Sequence, residues 1–153
     1  MKKALKISGI VLASLVVLTV SFAFMKGIVP LSFGIHDPVY TSSGYALDGY
    51  DVVSYFKGRP VKGDKLTFEW QGVTWRFASG ENLEAFRANP EKFVPRFGGY
   101  CTKAVSTGFA APGDPSSWTV WNDQLYIFTS DEVKAEFLKD PQTIIEACSE
   151  HWN

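Results

Sequence analysis

Residues 66–78 constrain the fold more than any other part of the 153-residue chain. Leu66, Phe68 and Trp70 alternate with Thr67, Glu69 and Gln71. After Gly72, Val73, Trp75 and Phe77 alternate with Thr74 and Arg76. A period of two puts successive side chains on opposite faces of a strand. A two-residue turn at Gln71-Gly72 then pairs Trp70 with Val73, Phe68 with Trp75 and Leu66 with Phe77, all on one face. Glu69 and Arg76 fall on the other face as near-diagonal neighbours. An antiparallel hairpin lying on a core is expected. Residues 118–128 repeat the pattern around Asn122-Asp123, both tolerant of positive φ. Trp118 and Val120 share a face with Leu125 and Ile127. Trp121, Tyr126 and Phe128 load the opposite face, so this hairpin is expected to be covered on both sides.

Short helices are expected after each hairpin. Ser79 caps residues 80–88, with Glu81 and Glu84 near the positive end and Leu83 and Phe86 on the buried side. Asn89-Pro90 starts a further turn. Ser130 caps 131–139, burying Val133 and Phe137, and Asp140-Pro141 opens a last helix. On that helix Ile144, Cys148 and Trp152 form one stripe. Strands and helices segregate instead of alternating in βαβ units. The expected class is α+β, a small antiparallel sheet built from hairpins with short flanking helices.

The N-terminus reads differently. Residues 7–25 hold no charge, behind Lys2, Lys3 and Lys6 and ahead of Lys26. Nineteen residues can just span about 30 Å of hydrocarbon as a helix. Ser21-Phe22-Ala23 also places small residues where a signal peptidase cuts. Residues 1–25 are therefore expected as a hydrophobic helix serving as signal peptide or membrane anchor, 26–44 as a linker and 45–153 as the domain. Either use exports the domain, to the periplasm or to the periplasmic face of the inner membrane. Residues 26–153 carry 12 Lys+Arg against 16 Asp+Glu. That excludes a nucleic-acid partner, which needs a basic face.

Several segments together resemble the bacterial exported YHS-domain proteins. They are Ala46-Leu47-Asp48-Gly49-Tyr50-Asp51-Val52-Val53-Ser54-Tyr55-Phe56, Gly72-Val73-Thr74-Trp75-Arg76-Phe77-Ala78-Ser79, Asn89-Pro90-Glu91-Lys92-Phe93-Val94-Pro95 and Phe97-Gly98-Gly99-Tyr100-Cys101. The resemblance implies a small α+β module of the cell envelope that handles metal, with a metal-handling or redox partner. Cofactors implied are copper, iron or haem, or zinc. Metal-binding members resemble a pattern with Cys after Asp-Pro-Val and after Tyr-Phe. Here Ser54 follows Asp51-Val52-Val53, Tyr40 follows Asp37-Pro38-Val39, and Ala78 follows Phe77.

Cys101 is the leading candidate for chemistry. Gly98 and Gly99 allow a sharp turn and close approach of a ligand. A helix over 102–105 would put the thiol at its N-terminus, where thiolate is favoured. Cys148 and His151 are three apart on one helix, and with Cys101 would form a soft metal site. A Cys101–Cys148 disulfide is the alternative use of the same thiols. Tyr100 joins Gly98 and Gly99 at the expected ligand site, as do Asp51 and Tyr55, with Tyr50 and Tyr55 expected to network around Asp51. His36 is read as a solvated linker histidine beside Asp37. The expected function is a non-enzymatic metal- or cofactor-binding module. The alternatives are a thiol-dependent redox enzyme using Cys101 and a structural partner in an envelope complex.

Overall fold

The computed structural model describes the backbone of residues 2–152 and the side chains of residues 11–152. Seven helices are described: α1 (Lys2–Met25), α2 (Val52–Phe56), α3 (Gly80–Ala88), α4 (Pro90–Phe93), α5 (Thr102–Val105), α6 (Asp131–Phe137) and α7 (Pro141–His151). Eight strands form four antiparallel pairs: β1 (Val29–Pro30) with β6 (Phe109–Ala110), β2 (Thr41–Ser42) with β3 (Tyr45–Ala46), β4 (Leu66–Trp70) with β5 (Val73–Phe77), and β7 (Asp114–Trp121) with β8 (Gln124–Phe128). The class is α+β, as expected.

The β4–β5 register matches the expected one, with Leu66 opposite Phe77, Phe68 opposite Trp75 and Trp70 opposite Val73. Gln71 and Gly72 both take positive φ, 52° and 73°. That twist suits the right-handed strands it joins. Asn122 and Asp123 do the same at 48° and 58° for β7–β8. Strand β7 starts earlier than the sequence suggests. An irregularity between Asp114 and Trp118 lets Asp114 pair with Phe128 while Trp118 pairs with Ile127.

Strand β8 organises the interior. Leu125 and Ile127 belong to one buried cluster with Val52, Tyr55, Trp75, Phe77 and Phe86. Tyr126 and Phe128 belong to another with Phe97, Val105, Phe137 and Cys148. The alternation of a strand sends neighbours to opposite faces, so one strand serves two cores. The helices follow from caps. The Ser79, Asn89, Ser130 and Asp140 side chains accept backbone N–H bonds at the starts of α3, α4, α6 and α7, and Pro90 and Pro141 open the helices after Asn89 and Asp140.

The expected linker is not a free tether. Leu31 and Val39 are buried, and β1 is laddered to β6. Among the described residues, no helix is long and apolar enough to cross a membrane. Residues 1–10 of the expected signal or anchor lie outside the residues whose side chains are described.

Candidate functional site

The Gly98 loop is shaped by the chain itself. Phe97 and Gly98 take φ of 55° and 61°. A Cβ on Gly98 would lie 2.1 Å from the Pro38 carbonyl oxygen. The Tyr40 N–H donates to the Gly98 carbonyl at 2.8 Å. The close approach that glycine permits is therefore filled by the backbone of residues 38–40.

Cys101 occupies the N-cap position of α5 without a side-chain cap bond and is only 2% exposed. Its thiol faces the Thr129 hydroxyl at 3.7 Å. Cys148 is wholly buried and donates to the Thr102 carbonyl at 3.2 Å. Burial, then the neighbouring Cys101, push its thiol up to about 12. Such a thiol stays protonated at neutral pH, whereas thiolate is the form that ligates metal. Both cysteines are free, so the alternative disulfide is not formed. His151 sits apart, exposed, with its Nδ1 3.5 Å from where a Cβ on Gly108 would be. Among the described residues, no three His, Cys, Asp or Glu side chains converge to hold a metal ion. The set Cys101, Cys148 and His151 does not fit a soft metal in this arrangement.

Asp51 and Tyr55, expected as ligand contacts, are sealed in the first core at 0% and 1% exposure. The Asp51 carboxylate caps α2, accepting from the Val53 N–H at 2.9 Å and the Ser54 N–H at 3.4 Å. Its other oxygen accepts from the Ala78 N–H at 2.8 Å and the Asn82 amide at 2.6 Å. Lys57 Nζ donates to the Asn82 carbonyl oxygen at 2.7 Å, fixing that amide. The expected Tyr55 network around Asp51 is replaced by a different bond. The Tyr55 hydroxyl donates to the Pro115 carbonyl at 2.8 Å, and burial raises its phenol above the ordinary range. Asp51 joins α2, β5 and α3 as a structural lock.

An open cavity of about 450 Å³ lies next to the Gly98 loop, lined by His36, Pro38, Gln71, His151 and Trp152 among others. A second, of about 270 Å³, shares Pro38, Gln71 and Trp152 and reaches Gly98 and Arg96. Both imidazoles of the chain meet the larger cavity. Trp152 packs against His36 at 4.9 Å between ring centroids, and against Phe97 and Tyr100 at 5.9 Å each. The Tyr100 ring meets His36 edge-on at 6.0 Å. Of the expected ligand residues, Gly98 borders the smaller cavity and Tyr100 supports the ring cluster from behind. His36, read from the sequence as a solvated linker histidine, is half-buried against Trp152, which the sequence placed only on the buried stripe of the last helix; Asn82 was not singled out.

His36 is half-buried, and its Nδ1 is buried without a hydrogen-bond partner. A proton on Nδ1 would be an unpaired donor in the interior. An unprotonated Nδ1 would equally be an unpaired acceptor there, so this atom goes without a protein partner in either tautomer.

No protein family, curated protein or solved structure matches this chain.

Proposed function

We propose that the chain is an exported, YHS-type module of the cell envelope that binds a small cofactor, or a metal carried within one, and does not catalyse its conversion. The single observation supporting this reading is the contrast between an open cavity with His36, His151 and Trp152 in its walls and two thiols sealed in the core. A cavity of about 450 Å³ exceeds what a bare ion needs and lies in the range of small-ligand sites. Its aromatic wall offers apolar contact, and the imidazoles and Gln71 offer directional hydrogen bonds. The thiol-dependent alternative needs a reachable nucleophile, and burial leaves Cys101 without one. The test is native mass spectrometry of the untagged full chain, with copper, iron and zinc quantified alongside. A bound small molecule is expected, weakened at least tenfold in H36A and W152A and retained in C101S. Loss in C101S with retention in H36A and W152A would overturn the reading in favour of the thiol.

A further inference from the structure

The two cavities beside the Gly98 loop are walled in common by Pro38, Gln71 and Trp152, so they are two lobes of one hollow. The lobes differ in chemistry. The larger one is lined by both imidazoles and by no Lys, Arg, Asp or Glu. The smaller one has Glu91 and Arg96 in its wall, together with Trp70 and Phe97. Glu91 comes from the first turn of α4, and Arg96 from the turn that follows Pro95.

Opposite charges in the wall of one hollow attract. Here they do not pair. Among the described residues the ion pairs are Lys57–Glu81, Lys62–Asp48, Arg87–Glu84 and Lys134–Asp131, and neither Glu91 nor Arg96 is in them. The Arg96 guanidinium lies instead over the Phe97 ring, 5.3 Å from its centroid. That ring packs on Trp152, which belongs to both lobes.

An anion alone in the smaller lobe would meet Arg96 but be repelled by Glu91, and a cation alone would meet the reverse. A molecule carrying both signs satisfies both. Its carboxylate suits the planar guanidinium, which offers paired N–H donors, and its ammonium suits the Glu91 carboxylate and the face of an indole such as Trp70. Whatever that molecule extends past Trp152 enters the lobe without charges. There the Trp152 and His36 rings, 4.9 Å apart between centroids, offer flat apolar surface.

We propose that the hollow takes an α-amino acid with an aromatic side chain, its zwitterionic head in the lobe of Glu91 and Arg96 and its ring in the lobe of His36 and Trp152. This rests on the small-molecule reading of the cavity given above and supplies the chemical class of the occupant.

The test is calorimetric titration of the untagged full chain with three probes of one shape: L-phenylalanine, phenethylamine, which lacks the carboxylate, and 3-phenylpropionate, which lacks the ammonium. L-phenylalanine is expected to bind at least tenfold tighter than either of the others. E91Q should weaken L-phenylalanine and strengthen 3-phenylpropionate, and R96Q should weaken L-phenylalanine and strengthen phenethylamine. A gain of affinity cannot come from a misfolded variant. Equal affinity for the three probes, or no gain in either variant, would overturn the zwitterion. So would binding of none of them while a native molecule is still lost in H36A and W152A, and the cavity reading would then stand. Binding of no probe, with no native molecule on the chain, would overturn both.

Discussion

Asp51 takes its carboxyl group wholly into the interior. Four donors aimed at its two oxygens make this tolerable: three backbone N–H groups and the Asn82 amide. D51A would strand those donors in a dry site and is expected to cost about 3 kcal/mol or more in urea unfolding. N82A removes one donor to Asp51 and leaves Lys57 paired with Glu81, so a smaller loss is expected. Cys148 yields a pH prediction. Its folded value lies at about 12 against an ordinary 9.0. Stability is therefore whole below pH 9 and falls as pH rises from 9 toward 12, where the unfolded chain ionises first, by up to about 4 kcal/mol. C148V should flatten that part of the alkaline profile, read from unfolding midpoints at each pH. Neither cysteine should react with iodoacetamide at pH 6 until the chain is unfolded. The sequence reading put Asp51 at the ligand site; its structural role depends on Ala78 and Asn82, which local spacing does not bring to it.

Elements were more legible than residues. Both hairpins, their two-residue turns and the helix starts follow from alternation, turn chemistry and capping side chains, all of which act within a few residues. S130A should cost about 1 kcal/mol, since the Val133 N–H loses its acceptor. The Gly98 loop shows the limit of that reading. Paired glycines announce a close approach but not what approaches, and here it is Pro38. G98A combines a positive φ with a contact to rigid backbone, so a loss of at least 1–3 kcal/mol or so is expected, with residues 38–40 displaced. Amide protection of Tyr40, measured by hydrogen exchange, reports that displacement directly.

At the scale of the whole molecule, β8 ties two cores into one cooperative unit. I127A and F128A remove side chains from opposite faces of the same strand. Each is expected to cost about 2–5 kcal/mol and to shift a single transition, coincident by tryptophan fluorescence and far-ultraviolet circular dichroism. Two separate transitions in either variant would show that the cores melt independently. The chain by itself determined its two long hairpins, their turns, the capped helix starts and the two-sided burial of β8, because those depend on side-chain periodicity and on hydrogen bonds between near neighbours. Tertiary structure alone decided that the thiols are sealed, that residues 26–44 pack onto the domain, and that His36, from the start of that segment's final stretch, meets Trp152 from the last turn of the chain. Such meetings are set by which faces bury the most apolar surface together, and no local pattern records the partner.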